Sequence, residues 1–406
     1  MEFRKILEIM LERRASDLHL KVGTRPIIRV DGSLELTDVS TPSQKDLEDL
    51  ARQILSPEQQ EEFLRHREID FGFGIQGLAR FRSNFYYQRG TIAMAIRHVP
   101  LGVPAFEDLN LPEAVARLAG RKRGLVLVTG TVGSGKSTTL ASMIDLINRR
   151  EAKNIITIED PIEFLHRDEK SIISQREVGL DTDSYLTALK HILRQDPDVL
   201  LMGEIRDRDT MQVALMAADT GHLVLSTLHT ADATQTINRI ISFFPPHQHD
   251  DVRFLLASNL AAVISMRLIP RADRDGRVPA VEVMINTETV RDYVLDPAKT
   301  ALIPAAIADG FSQYGMQTFD QSLMALYRKR LITLEDALRN ATNQAEFELR
   351  IKGIHATSDS SWEAFEDGEG SEDGDAGDAE GTAPDGAGGA ANINRLDPDK
   401  PWERFA

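Results

Sequence analysis

The segment GTVGSGKSTTL, residues 130–140, constrains the fold more tightly than any other stretch of the chain. It matches G-x-x-x-x-G-K-S, with Gly130, Gly135, Lys136 and Ser137 in the fixed positions. Such a loop cradles phosphate only where a strand runs into a glycine-rich turn and then a helix. Both flanks comply. GLVLVTG, residues 124–130, is short, apolar and rich in β-branched residues, and KSTTLASMIDLINRR, residues 136–150, spaces Leu140, Ile144 and Ile147 as one helical face. Gly130, Thr131, Val132, Gly133, Ser134, Gly135, Lys136, Ser137 and Thr138 are therefore expected to bind ATP. Glycines let backbone N–H groups approach the phosphates, Lys136 reaches the β/γ-phosphates, and the Ser137 hydroxyl ligates Mg²⁺.

From residue 124 onward, apolar strand-like runs alternate with helices: LVLVTG, NIITIED, DVLLMGE and HLVLSTLH. This alternation predicts an α/β fold with a mainly parallel sheet and helices on both faces. A hairpin is expected over 263–285, with ADRDGR between its strands, and residues 313–352 look helical. In open parallel sheets ligands gather at the carboxyl ends of strands. IITIEDPIEF puts Glu159 and Asp160 at one such end and Glu163 just beyond, DVLLMGEIRD puts Glu204 at another, and HLVLSTLHT ends on His229. These groups are predicted to converge beside Lys136. Glu163 would orient or deprotonate the attacking water, Glu204 would position Mg²⁺, and His229 would sense the γ-phosphate, with the roles of the two glutamates exchangeable. His222 has two readings, a structural hydrogen bond or a site role.

Ahead of this region, residues 1–100 read as a small α+β domain. Phe3, Ile6, Leu7 and Met10 mark an amphipathic helix, DLHLKVG and PIIRVDG are strand-like with a turn at Asp31 and Gly32, helix signals return over 43–65, and strands follow over 72–100. VPLGVPAFEDLNLP, with three prolines, leads into a linker at 101–112, and the α/β region spans 113–355. In RFR, strand alternation puts Arg80 and Arg82 on one face and Phe81 on the other. Two adjacent guanidiniums want an anion. A neighbouring subunit's ATP could supply it, with Arg97 joining them, and ion pairing inside the small domain is the other reading.

Composition narrows the classes. Zero cysteines exclude disulfides, thiolate zinc sites and cysteine nucleophiles. No apolar run approaches a membrane span, and MEFRKILEIMLERRASD is too charged for a signal peptide, so the expectation is a cytoplasmic protein without direct membrane insertion. The net charge of -16 is concentrated late, since residues 353–394 hold 11 Asp and Glu and no Lys or Arg. The low-complexity segment 356–406 is expected to be a disordered acidic tail, with Leu396, Trp402 and Phe405 near its end. The rest is only mildly acidic and lacks a basic stripe with interleaved aromatics, so no nucleic-acid partner is expected.

Taken in order, ASDLHLKVGTRPIIRVDG, GTVGSGKSTTL, TIEDPIEFLH, REVGLDT, LRQDPDVLLMGEIRD and TGHLVLSTLHT resemble the type II/IV secretion ATPases, and within them the type IV pilus retraction ATPases, over about residues 1–353. The resemblance implies a homohexameric ring whose subunits carry a PAS-like N-terminal domain and a RecA-like motor domain. It implies that the segment around Glu159, Asp160 and Glu163 is the Asp box, that around Glu204 an atypical Walker B, and Gly221 to His229 the His box. It also implies that Arg80, Arg82 and Arg97 approach nucleotide. ATP hydrolysis in such a ring works on an inner-membrane pilus platform protein at the pilus base, sometimes beside a paralogous pilus ATPase. The tetracysteine motif usual in extension and type II secretion members is absent. Retraction members carry a motif close to A-I-R-x-L-I-P, and SMRLIP at 265–270 keeps Arg267, Leu268, Ile269 and Pro270 but replaces Ala-Ile by Ser-Met. The alternatives to a principal retraction motor are an accessory ATPase of this family and a nucleotide-gated scaffold with little turnover.

Overall fold

The computed structural model describes residues 3–30, 33–99 and 102–352. The turn expected at Asp31 and Gly32 and the acidic segment 356–406 lie outside the described residues. Thirteen strands are found among the described residues: β1 (Asp17–Lys21), β2 (Thr24–Val30), β3 (Ser33–Leu36), β4 (Glu68–Ile75), β5 (Ala79–Gln88), β6 (Thr91–Val99), β7 (Gly124–Thr129), β8 (Asn154–Glu159), β9 (Ile172–Glu177), β10 (Val199–Met202), β11 (Leu223–Leu228), β12 (Leu260–Pro270) and β13 (Arg277–Ile285). They form two sheets within one compact unit.

The first sheet is antiparallel, in the order β3-β2-β1-β6-β5-β4. Helices α1 (Phe3–Glu12), α2 (Gln44–Ile54) and α3 (Pro57–His66) complete it. Ile6, Leu7 and Met10 of α1, at helical spacing, are fully buried with Leu18, Phe81 and Phe85 from the sheet. The helical stretch expected over 43–65 is two helices. Ser56 closes a capping box on Gln59, and Pro57 at the first helical position lacks the N–H that a continuing helix would need.

The second sheet runs β13-β12-β7-β11-β10-β8-β9. Every pairing from β12 to β9 is parallel, and β13 closes the edge as an antiparallel hairpin with β12. β7 and β11 are buried along their whole length, as strands covered on both faces require. Leu125 and Leu127 point into a core with Leu189 and Ile192 of the helix Tyr185–Ile192, while Val126 and Val128 join Leu140, Ile144 and Ile147 of the helix Lys136–Arg150 on the other face. Burying each such side chain contributes about 1.5–3 kcal/mol, which makes β7 and its helix a firm base for the loop between them.

The helices α4 (Glu113–Ala119), α5 (Lys136–Arg150), α6 (Tyr185–Ile192), α7 (Arg208–Asp219) and α8 (Ala233–Ser242) accompany this sheet. The region predicted to be helical over 313–352 holds Phe319–Arg328, Leu334–Asn340 and Gln344–Ile351. Residues 99–112, read as linker, contain a short 3-10 turn, Phe106–Leu109, whose Phe106 is buried against the α4 and α5 side of the core. No periodicity in the sequence announces β9. Its burial alternates weakly and Ile172 is 62% exposed, so the strand has no apolar signature of its own.

Candidate functional site

Strand order brings the predicted groups together. β7 feeds the phosphate loop; its neighbour β11 ends beside His229; β10, next to β11, ends just before Glu204; and β8, next to β10, ends at Glu159 ahead of Glu163. All four strands are parallel, so all four ends meet at one edge. A cleft of ≈ 220 Å³ opens there, lined by Val132, Gly133, Lys136, Ser137, Glu159, Asp160, Glu163, Tyr185, Glu204, Arg206 and His229 among others.

The loop has the form a phosphate needs. Gly130, Gly133 and Gly135 have φ of 143°, 77° and 98°, in the range that glycine adopts without strain. A Cβ at Gly130 would stand 2.5 Å from Ser134 Oγ and 2.6 Å from Met266 O, whereas a Cβ at Gly133 would meet nothing within 4 Å. Ser134 Oγ is buried and has no protein partner, and Gly133 leaves open space, a combination that fits phosphate oxygens entering the loop. Lys136, 9% exposed, donates from Nζ to Gly130 O at 2.9 Å and Thr131 O at 3.0 Å. Burial pushes its pKa down, opposed by the charges of Glu204 and Glu163.

Glu204 is bound on both oxygens. Arg206 Nη2 donates to Oε2 at 2.9 Å, and His229 Nε2 lies 3.3 Å from Oε1. Burial tends to raise the Glu204 pKa, but the hydrogen bond from Arg206 and the His229 contact outweigh it and hold the carboxyl below its usual range. Glu159 has the opposite balance. Burial raises its pKa, against hydrogen bonds from Thr157 Oγ1 at 2.7 Å and Gln175 Nε2 at 3.1 Å. Glu163 is exposed on the cleft wall.

Not every predicted residue reaches the cleft. Arg80 and Arg82 lie on one face of β5 as alternation requires, and Arg82 is the register partner of Arg97 in β6. None of the three lines the cleft. Arg80 Nη2 donates to Glu177 Oε2 at 2.6 Å, and Arg97 Nε donates to Asp17 Oδ1 at 2.8 Å. His222 has its structural reading: Nδ1 lies 2.9 Å from Ala217 O and 3.1 Å from Thr220 Oγ1, at the end of α7. Arg206 and Tyr185 line the site without having been anticipated. Arg206, two residues after Glu204, could have been sought as its partner, whereas Tyr185 opens a helix with no local sign of the cleft.

The SMRLIP segment runs beside the phosphate loop. Thr129 Oγ1 donates to Ser265 Oγ at 3.0 Å, and Thr139 Oγ1 to Met266 Sδ at 3.2 Å. Arg267 stacks on Phe319, 3.8 Å from the ring centroid, and donates from Nη1 to Asn340 O at 2.6 Å. Ser265 and Met266, which replace the motif's Ala-Ile, therefore contact Thr129 and Thr139 on either side of the phosphate loop, and the retained arginine anchors the C-terminal helices.

The model for the type II/IV secretion system protein family matches residues 105–343, which include the whole of this cleft. The chain belongs to the type II/IV secretion system protein family. Among its relatives, it is 41% identical over 352 residues to the type IV pilus ATPase PilU of Pseudomonas aeruginosa, covering 87% of this chain and 92% of that one. It is 42% identical over 341 residues to the type IV pilus retractation ATPase PilT of the same organism, covering 84% and 98%. The crystal structure of the pilus retraction motor PilT with bound ADP is 43% identical, with a TM-score of 0.78, and covers 86% of this chain and 99% of that one. The α/β secretion-family fold extends through both sheets, since those matches reach well beyond 105–343. No helix among the described residues is long and apolar enough to cross a membrane.

Proposed function

We propose that this chain is an ATP-hydrolysing motor that drives type IV pilus retraction, working as a hexameric ring at the cytoplasmic face of the inner membrane against a platform protein of the pilus base. Residues 1–100 and 113–355 are its two working parts, joined by 101–112. The observation that carries the reading is the convergence of Lys136, Ser137, Glu163, Glu204 and His229 on one cleft. Relatives of nearly full shared length named as pilus ATPases support the choice of work.

Bound ATP and Mg²⁺ supply the scissile γ-phosphoryl group and the charge that offsets its developing negative oxygens. The chain's own groups divide the remaining tasks. Lys136 is held by two carbonyl oxygens at the loop and can exchange them for β/γ-phosphate oxygens. Ser137 and Glu204, which both line the cleft, would hold Mg²⁺, and the ion would supply charge against the phosphate oxygens. Glu204, kept ionised by Arg206 and His229, suits the metal side. Glu163 faces the cleft from an exposed loop position and suits the water, as orienting group or base. His229, already against Glu204, reports γ-phosphate to that carboxylate. Arg80, Arg82 and Arg97 approach nucleotide only if the N-terminal sheet moves or a neighbouring subunit brings its own copies.

Steady-state turnover of purified protein with Mg²⁺, compared with Glu204→Gln and Glu163→Gln, tests the chemistry. Loss of turnover by about 10²-fold or more with nucleotide binding retained is expected for both. Equal, negligible turnover by all three proteins would leave the scaffold reading instead. Imaging of labelled pili in cells lacking the gene then separates a principal motor from an accessory one. Pili that extend without shortening, rescued by wild type and not by Glu163→Gln, mark the principal motor. The accessory reading draws on an identity to PilU within one percentage point of that to PilT, 41% against 42%, and on Ser265 and Met266 against the residues flanking the phosphate loop.

A further inference from the structure

Resting on that assignment of Glu163, we propose that Glu177 is a positioning residue for it, fastening the loop that carries Glu163 to Arg80 of the N-terminal sheet. The loop 160–166 leaves β8 and must hold Glu163 against the cleft with no regular structure of its own. Two side chains of β9 fix it, and they alternate along the strand so that both point to the same side. Gln175 Nε2 donates to Phe164 O at 2.8 Å, and Gln175 Oε1 accepts from His166 N–H at 2.9 Å. Glu177 Oε2 accepts from Ile162 N–H at 3.1 Å. The anchors sit at 162 and 164, one on each side of Glu163.

Glu177 differs from Gln175 in carrying a charge, and its side chain is only 4% exposed. A buried carboxylate requires a partner, and the partner comes from the other sheet. Arg80 Nη2 donates to the same Oε2 at 2.6 Å, across 97 residues of sequence. β4, the neighbour of β5, makes room for the contact with a glycine. A Cβ on Gly72 would stand 2.5 Å from Glu177 Oε1, 3.0 Å from Arg80 Nη2 and 3.1 Å from Glu177 Oε2. One carboxylate oxygen thus joins the backbone beside Glu163 to a guanidinium of the N-terminal sheet, and a displacement of that sheet is transmitted to the catalytic loop. β9, an edge strand with little apolar content, owes its place at the site to this task.

The test compares wild type with Glu177→Ala, Glu177→Gln and Gly72→Ala in the full chain, reading kcat and KM for ATP, affinity for a fluorescent ADP analogue, and hydrogen exchange over 160–166. Glu177→Ala and Gly72→Ala are expected to lower kcat about tenfold while KM and ADP-analogue affinity stay within about twofold, because a misplaced base costs rate rather than binding. Exchange at Ile162 should quicken in both. Glu177→Gln, whose amide oxygen still accepts from Ile162, should recover most of the rate. If Glu177→Ala does not fold, Gly72→Ala alone decides, since it removes no side chain. Unchanged kcat in Gly72→Ala, or a fall in kcat matched by an equal loss of ADP-analogue affinity, overturns the proposal. Glu163→Gln keeps the two ideas apart. If it turns over normally the assignment of Glu163 is lost, and if it is inactive while the Glu177 and Gly72 variants are normal only the positioning role is lost.

Discussion

His229 Nε2 and Glu204 Oε1 stand 3.3 Å apart at the ends of two neighbouring parallel strands, with Arg206 closing on the other carboxylate oxygen at 2.9 Å. Parallel register makes this contact. Met202 is paired with Ser226, so Glu204, two residues past Met202, and His229, three past Ser226, emerge within one residue of the same height. A carboxylate gripped from both sides stays ionised and points one way, as a metal-positioning group must.

Arg206 should therefore set the acid limit of turnover. Burial pushes the Glu204 pKa up and the Arg206 hydrogen bond is the foremost cause holding it down, so removing Arg206 moves that pKa upward. For Arg206→Ala the acidic limb of the kcat against pH profile is expected to shift to higher pH, with a smaller loss at pH 8. A limb that stays in place would show that Arg206 does not tune this carboxylate.

Two glycines of the phosphate loop should respond differently to alanine. At Gly130 the new methyl meets Ser134 Oγ and Met266 O at 2.5 and 2.6 Å, and the φ of 143° adds strain. Gly133→Ala meets nothing and carries only the strain of its φ, on the order of 1 kcal/mol. Gly130→Ala is expected to abolish binding of a fluorescent ADP analogue and Gly133→Ala to weaken it less, and titration of the two purified variants measures the difference. Equal affinities would contradict the geometry.

Glu282 should make stability depend on pH near neutrality. Its side chain lies buried on β13, accepts from Ala233 N–H at the start of α8 at 2.8 Å, and has its pKa pushed up to about 7 by burial, with Asp232 and Asp320 adding to the rise and the Ala233 hydrogen bond and Arg267 opposing it. A folded pKa above the ordinary 4.5 means that folding favours the neutral acid, so the contribution is complete below about pH 4.5 and is lost as pH rises through about 7. Glu282→Gln keeps the acceptor without the charge. It should be more stable than wild type at pH 8 by on the order of 1–3 kcal/mol and show no advantage at pH 4.5. Denaturant unfolding of both proteins at the two pH values checks the sign.

Much of the site is local and could be read from the chain. The glycines of the phosphate loop fix backbone conformation where they stand, the apolar runs of β7, β8, β10 and β11 announce buried parallel strands, and in such a sheet the residue after each strand faces the ligand edge. Lys136, Glu204 and His229 follow from those facts, whereas Glu163, four residues past β8, could be placed only just beyond that strand end. What sequence could not supply is whatever depends on a partner far along the chain. β9 is polar and half-buried at a sheet edge, so no period betrays it; its worth lies in what Gln175 and Glu177 touch. Arg80 read as a cation in want of an anion, but only the packing of one sheet beside another chose Glu177 as that anion, because local sequence carries periodicity and backbone preference, whereas a buried ion pair exists only once the fold has brought its two halves together.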